Sequence, residues 1–250
     1  MAQKNTPWIK QLRDLVNHHS RLVVFTGAGI STESGISDYR SQGGLWQRFQ
    51  PVTLQEFLAD EDKRRLYWER KKFTMVQMKD AKPNLAHFAI ARLERQGKIT
   101  CVITQNIDGL HQLAGSRNVL EIHGTTREVI CFGCQRIESF EPTLKRLEEG
   151  EEIPLCLKCG GLLKPNTISF GQNLNPEVLN RSIHHAESCD LMIAVGSTLV
   201  VEPAASMPRY AKGSGASLVI INRDPTPLDG IADLVIRENA GLVLDQAVGE

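Results

Sequence analysis

Two cysteine pairs carry the most specific chemistry in the sequence. Cys131-Phe-Gly-Cys134 is followed, after 21 intervening residues, by Cys156-Leu-Lys-Cys159-Gly-Gly161. Two C-x-x-C loops at this separation supply four thiolates to one tetrahedral zinc ion. Cys131, Cys134, Cys156 and Cys159 fill every coordination position, which leaves none for a catalytic water, so the zinc is expected to be structural. Cys101 and Cys189 stand alone beside apolar runs and are expected to be buried, reduced and free of metal.

Three further groups follow short apolar runs. Gly27-Ala28-Gly29 allows close approach of backbone N–H groups to a pyrophosphate at a helix start. The third position of a dinucleotide fingerprint is Thr32 rather than Gly, and no acidic residue ends a second strand about 20 residues on, which argues against an ordinary dehydrogenase. Thr104-Gln-Asn-Ile-Asp108 and Glu121-Ile-His-Gly124 put amides, a carboxylate and His123 at run ends, where an imidazole titrating near neutrality serves as a general base. Gly196-Ser197-Thr198 suits phosphate, and Asn222 suits a ribose or an adenine edge. Each group taken singly is also ordinary turn or cap chemistry. Their convergence at strand ends is the stronger signal.

The elements that must position these groups are legible as runs. Leu22–Phe25, Thr100–Ile103, Val119–Ile122, Leu191–Val195, Leu218–Ile221 and Leu234–Ile236 are continuous, rich in β-branched residues and too short to span a bilayer. Helical stretches between them, such as Pro7–His18 and Asn84–Gln96, imply an α/β fold: a Rossmann-like doubly wound parallel sheet. In Asn84–Gln96 the apolar face is expected at Leu85, Phe88, Ala89 and Leu93, with Gly97 as C-terminal cap. Strand C-termini then line one crevice. The expected division is a core of residues 1–37, 83–126 and 166–250, a helical insertion at 38–82 and an inserted zinc-ribbon module at 127–165.

Composition sets outer limits. The chain has 250 residues, 41% hydrophobic and 23% charged, with 29 Lys+Arg against 29 Asp+Glu. A neutral chain offers no broad attraction to nucleic acid or to an anionic membrane. The N-terminal stretch lacks an apolar h-region, so the expectation is a cytoplasmic protein without a secretory signal.

In combination, Gly27-Ala-Gly-Ile-Ser-Thr-Glu-Ser-Gly-Ile-Ser-Asp-Tyr-Arg40, Thr104-Gln-Asn-Ile-Asp108 with Leu110-His111, His123-Gly124, the two cysteine pairs, Gly196-Ser-Thr198 and Asn222 resemble the sirtuins. The likeness runs from about Leu22 to Asn239. It implies an NAD-dependent protein lysine deacetylase (deacylase) that moves the acyl group to ADP-ribose and releases nicotinamide. His123 would be the base acting on the ribose, with Asn106 and Asp108 holding the nicotinamide carboxamide and a water. Cofactor contacts implied are Gly27, Ala28, Gly29, Ile30, Thr32, Asp38, Tyr39, Arg40, Gln105, Asn106, Ile107, Asp108, Gly196, Ser197, Thr198, Asn222 and Arg223. Substrate contacts implied are Ile168, Ser169, Phe170 and Gly171, on a strand Asn166–Phe170. The chain departs from the family's pattern at Ser37, at Tyr39, and at Pro165-Asn-Thr-Ile-Ser-Phe-Gly-Gln172, which is more polar than usual and bears on peptide preference.

The implied partners are acyl-lysine proteins or peptides, met by a monomer. Two other readings stand beside this one: a mono-ADP-ribosyltransferase or NAD hydrolase on the same scaffold, and a non-enzymatic zinc-ribbon binding module. Tyr67-Trp-Glu-Arg70 adds a finer question. In one sirtuin branch a Tyr-x-x-Arg pair binds the carboxylate of succinyl or malonyl lysine, so Tyr67 and Arg70 are substrate candidates for a desuccinylase or demalonylase. Six of the ten residues Lys63–Lys72 are basic, however. The run reads as a solvated helix face with Leu66 and Phe73 turned inward, and the expected preference is acetyl or another neutral acyl group.

Overall fold

The computed structural model describes residues 6–38 and 50–248. Tyr39 and Arg40 lie outside the described residues. The chain runs α1 (Pro7–His18), β1 (Leu22–Thr26), a 3-10 helix at Ala28–Ser34, α2 (Leu54–Ala59), α3 (Glu61–Lys79), α4 (Leu85–Arg95), β2 (Ile99–Thr104), α5 (Leu110–Leu113), β3 (Val119–Glu121), β4 (Gly124–Cys131), β5 (Ile137–Ser139), α6 (Glu141–Glu148), β6 (Leu163–Thr167), α7 (Pro176–Ser188), β7 (Leu191–Val195), α8 (Met207–Gly213), β8 (Ser217–Ile221), β9 (Leu234–Ile236) and α9 (Ala240–Val248).

All six expected runs form one sheet in the order β3-β2-β1-β7-β8-β9, and every neighbouring pair is parallel. The runs are continuous because both faces are covered. Val24, Val102, Ile193 and Val219 face one apolar cluster with α1, α4 and α9. Phe25, Ile103, Ala194 and Ile220 face the other with α7 and α8. The strand order reverses between β1 and β7, so a crevice must open beyond Thr26 and Val195.

Helix α4 is rotated from the expected setting. Leu85 and Phe88 are exposed, while Ala86, Ala89, Ile90 and Leu93 are buried. Both stripes have helical spacing. The small alanines let the helix approach the sheet closely, and its N-cap Asn84 fixes the rotation by donating from Nδ2 to the Ile30 carbonyl at 2.7 Å and to Ser34 Oγ at 2.9 Å. Gly97, at φ +75°, ends the helix as expected.

Helix α3 also corrects the sequence reading. Leu66 and Phe73 are the exposed residues, and Tyr67, Trp68, Lys71 and Thr74 are buried. Two large aromatic rings remove more apolar area from water than Leu66 and Phe73 would, which outweighs the burial of one lysine. Trp68 stacks on Phe140 with ring centroids 6.3 Å apart. A third apolar cluster joins Val52, Phe57, Tyr67 and Trp68 of the helical stretch to Val129, Cys131, Phe140 and Leu163 around the cysteines. The two stretches outside the parallel sheet therefore share one core.

A second, three-stranded antiparallel sheet, β5-β4-β6, carries the cysteine loops. Cys131, Cys134, Cys156 and Cys159 place their sulfurs within 4.8 Å of one another. Cys131 and Cys159 are 3.5 Å apart and Cys134 and Cys156 are 3.9 Å apart. Those separations exceed a disulfide's ~2.05 Å. They match the ~3.8 Å edge of a tetrahedron with ~2.3 Å Zn–S bonds. The backbone N–H groups of Cys134 and Gly161 donate to Cys131 Sγ and Cys159 Sγ, both at 3.4 Å, as thiolate ligands require. Zinc fits this donor set. Cys101 and Cys189 are buried, as expected.

Because Cys131 belongs both to the metal site and to the shared core, metal loss should loosen α3 as well as the cysteine loops. Cys131→Ser is expected to lower bound zinc and the melting temperature together, since metal binding is coupled to folding. Zinc content by atomic emission, read beside thermal unfolding, tests this. A variant without zinc that melts like the wild type would contradict it.

Candidate active site

At the crevice two backbone turns meet. Gly27 N–H donates to the Val195 carbonyl at 3.0 Å, and Gly29 N–H to the Gly196 carbonyl at 2.8 Å. A Cβ on Gly29 would lie 2.8 Å from Gly196 Cα, and one on Gly196 would lie 2.3 Å from Ile30 N. Gly196 also has φ +61°. Neither position has room for a side chain, and Gly196 adopts a conformation that favours glycine. The result is a cradle of bare backbone bordered by Ser197 and Thr198, fitting a dinucleotide's phosphates. The helix expected after Gly29 is the 3-10 stretch Ala28–Ser34, closed by Gly35 at φ +84°.

A cleft of about 920 Å³ extends from this cradle. Its lining includes Gly27, Ala28, Gly29, Thr32, Asp38, Gln105, Asn106, Ile107, His123, Gly196, Ser197, Thr198, Asn222 and Arg223 from the expected set. Ile168, Ser169, Phe170 and Gly171 line it as well, with Tyr67 and Arg70 of α3. Two expected contacts are placed differently. Ile30 is fully buried in the core beneath the sheet, because its turn directs the side chain inward. Asp108 stands behind the cleft wall: its Oδ2 accepts from Ser31 Oγ at 2.7 Å and its Oδ1 from the Leu110 backbone N–H at 3.0 Å, capping α5.

Sequence reasoning missed Ser31 as the joint of this wall. Its hydroxyl donates to Asp108 and accepts from Asn106 Nδ2 at 3.1 Å, so one residue of the glycine turn sets both polar side chains. The signal was present, since Ser31 lies two residues after Gly29. Gln105 Nε2 donates to Ser197 Oγ at 2.8 Å and ties the β2 end to the β7 end. Below the floor, Thr26 Oγ1 donates to Thr104 Oγ1 at 2.8 Å and Thr104 Oγ1 accepts from Asn106 N at 3.0 Å. His111 Nε2, 3.0 Å from Thr26 Oγ1, then donates to that hydroxyl. Burial pushes the His111 pKa down to about 3, so the ring is neutral at pH 7.

His123 follows β3 and precedes β4. Its Nδ1 lies 3.2 Å from the Gln105 carbonyl oxygen, an acceptor only, so Nδ1 carries the proton and Nε2 keeps its lone pair. Burial lowers its pKa below the ordinary 6.5, against a smaller opposing effect of the Gln105 carbonyl. A neutral imidazole with one free nitrogen facing a cleft is a competent base. The next residue, Gly124, has φ +76°, and a Cβ there would lie 2.1 Å from the Asn166 carbonyl oxygen. The chain therefore turns sharply after His123, and Ile168 N–H donates to the His123 carbonyl at 2.8 Å. The expected strand Asn166–Phe170 is displaced toward the N-terminus: β6 is Leu163–Thr167, because this turn takes Ile168 off the β4 ladder. The Phe170 carbonyl accepts from Leu54 N–H at 2.9 Å, linking the segment to α2.

Comparison with known proteins places this arrangement. Residues 27–203 match the model of the Sir2 family. The chain is 46% identical over 236 residues to an NAD-dependent protein deacetylase from Thermodesulfovibrio yellowstonii, covering 94% of this chain and 92% of the relative. It is 44% identical over 230 residues to NAD-dependent protein deacylase 1 from Archaeoglobus fulgidus, covering 91% of each chain. A solved Sir2–p53 peptide–NAD+ complex superimposes with a TM-score of 0.86 at 39% identity, over 95% of this chain and 96% of that one. With the likeness extending over both sheets and nearly the full length, the chain belongs to the Sir2 family.

Proposed function

We propose that the chain is an NAD-dependent protein lysine deacylase, with His123 as its base and the Ile168–Gly171 segment as its peptide-binding edge. The observation that carries the assignment is the placement of the free His123 Nε2 in one cleft with both the glycine cradle and that segment. When bound, NAD supplies an electrophilic ribose carbon, nicotinamide as leaving group and the ribose hydroxyl that finally takes the acyl group.

Each residue's part follows from its position. Gly27, Gly29, Gly196 and Ser197 receive the pyrophosphate, and Asn222 and Arg223 border the adenosine end. Gln105, held by Ser197, is available to the ribose. Asn106, its amide oriented by Ser31, would hold the nicotinamide carboxamide. Asp108 acts from behind by fixing Ser31 and the start of α5. His123 Nε2 takes the proton of the ribose hydroxyl, and burial keeps it unprotonated until then. Main-chain groups around Ile168–Gly171 recognise an extended peptide largely through backbone hydrogen bonds. Tyr39 and Arg40, outside the described residues, are proposed as cofactor contacts.

The helical stretch 38–82 and the zinc module 127–165 are proposed as two units set on the dinucleotide-binding core. Their common core supports treating them as one wall of the cleft. A monomeric enzyme of the cytoplasm is the matching biological setting. Four cysteines gathered for a metal rather than paired in disulfides support the compartment. Among the described residues no helix is long and apolar enough to cross a membrane.

Incubation with NAD and an acetyl-lysine peptide should give free lysine peptide and O-acetyl-ADP-ribose by mass spectrometry. ADP-ribose added to the peptide instead would assign a transferase. His123→Ala should lower kcat/KM by about 10²–10⁴ while leaving the circular dichroism spectrum unchanged. A His123→Ala enzyme within tenfold of wild type would remove His123 from the mechanism.

Because the base acts unprotonated and burial lowers its pKa, the acid limb of kcat/KM for an acetyl peptide should have its midpoint below pH 6.5. Activity should fall as pH drops through that midpoint. A limb at or above pH 6.5 that persists in His123→Ala would assign the titration to another group.

A further inference from the structure

One buried charge has no part in the chemistry described so far. Lys164 of β6 is only 1% exposed. Its ammonium donates to the Pro165 carbonyl at 3.1 Å and to the Thr167 carbonyl. The Tyr67 ring of α3 lies on a further side, its centroid 5.9 Å from Nζ. Among the described residues no carboxylate pairs with Lys164. Glu128 of β4 accepts from Asn166 Nδ2 at 3.0 Å instead. Besides the Tyr67 phenol, α3 brings only basic groups to the same ring, Arg70 and Lys71.

An ion pair therefore does not hold the lysine here. Burying an ammonium is costly unless its N–H groups find acceptors. Both acceptors are main chain of Lys164's own strand, so the side chain folds along β6 and braces its end. The brace stands where the ladder is irregular: opposite Pro165–Thr167 the β4 register shifts between Gly124 and Val129.

The Thr167 carbonyl and the Ile168 N–H belong to one peptide group, and in a trans peptide they point in opposite directions. The ammonium holds the oxygen on one side. On the other side Ile168 N–H donates to the His123 carbonyl at 2.8 Å. One peptide plane is thus clamped between a buried cation and the backbone of the base. A charged donor on the oxygen polarises the group and strengthens the bond made by its N–H. The Ile168–Gly171 segment starts at this plane.

We propose that Lys164 is a positioning residue: by clamping the Thr167–Ile168 peptide group against the His123 carbonyl, it sets the peptide-binding edge in register with the base. The inference rests on the deacylase reading. Lys164 acts through the backbone and does not itself line the cleft.

Burial pushes the Lys164 pKa down to about 7, so the charge is present below that pH and lost above it. A neutral amine still donates, but its hydrogen bonds are weaker. The hold on the peptide edge should loosen as pH rises. Lys71 loses its charge in the same range, its pKa lowered to about 7 by burial and then by Lys164 and Arg70, so the test must separate the two.

Calorimetry without NAD does so, using an acetyl-lysine peptide with no group that titrates between pH 6 and pH 9. In wild type the peptide Kd should rise about three- to tenfold over that range. Lys164→Arg, charged throughout, should show a level Kd, whereas Lys71→Met should keep the rise. Lys164→Met should raise the peptide KM about tenfold and lower kcat, with the KM for NAD within about twofold of wild type, and Lys164→Arg should restore part of both losses. A Lys164→Met enzyme with the wild-type peptide KM, or with peptide and NAD affinities falling together, would overturn the proposal. So would an alkaline rise that persists in Lys164→Arg. Should the Lys164 variants fail to fold, a flat wild-type profile, or a rise abolished in Lys71→Met, overturns it, and a rise kept in both supports it. Peptide binding with this pH dependence but no acetyl-lysine turnover would refute the deacylase reading and leave the brace standing.

Discussion

The contact on which the site depends is the meeting of two backbones at the reversal of the sheet. Gly29 and Gly196 approach so closely that a methyl group on either would collide with the other turn. This contact closes the crevice between β1 and β7 and leaves only main chain to face a pyrophosphate. It also sets Ser31 at the one distance from which it reaches both Asn106 and Asp108. A hydroxyl that donates to one partner and accepts from the other fixes two side chains at once. Burial of Asn106 makes an unpaired amide there expensive, about 1–3 kcal/mol. The polar wall is therefore a consequence of the glycine contact rather than a separate feature.

The opposite wall is organised by apolar packing. Trp68 and Tyr67 sink into the cluster that also holds Cys131, so the metal module and α3 stabilise each other. Salt bridges add little here. Arg65 pairs with Glu152 between the two stretches, but both side chains are largely exposed, and such pairs contribute about 0–1 kcal/mol. Lys72, donating to the Leu147 carbonyl at 2.8 Å, caps α6 from α3. The cysteine site thus reaches the α3 wall of the cleft through that shared core. This gives a metal that does no chemistry a route to affect the chemistry.

What the sequence disclosed follows from what each signal encodes. The six strands were visible because burial on both faces leaves unbroken β-branched runs, and the cysteine spacing encodes a coordination geometry directly. His123 and the Gln105–Asp108 segment were legible as strand-end polar residues. Helix rotation was not. In α4 and α3 two apolar stripes compete, and the choice between them is made by partners distant in sequence: Ile30 for Asn84, and Phe140 for Trp68. The same blindness hid Lys71, which reads as one charge in a basic run until the rotation of α3 buries it. Ile30 and Asp108 show the finer limit. A motif names positions near a ligand but does not say which of them turn away from it.

The cleft geometry requires that NAD and an acylated lysine react together, each waiting on the other. The most direct measurement is the amount of nicotinamide released against the amount of lysine freed, with and without acetyl peptide, at saturating NAD. Equal amounts are expected throughout the time course, and negligible nicotinamide when the peptide is omitted. Nicotinamide released at the same rate without peptide, or lysine freed without nicotinamide, would contradict that coupling.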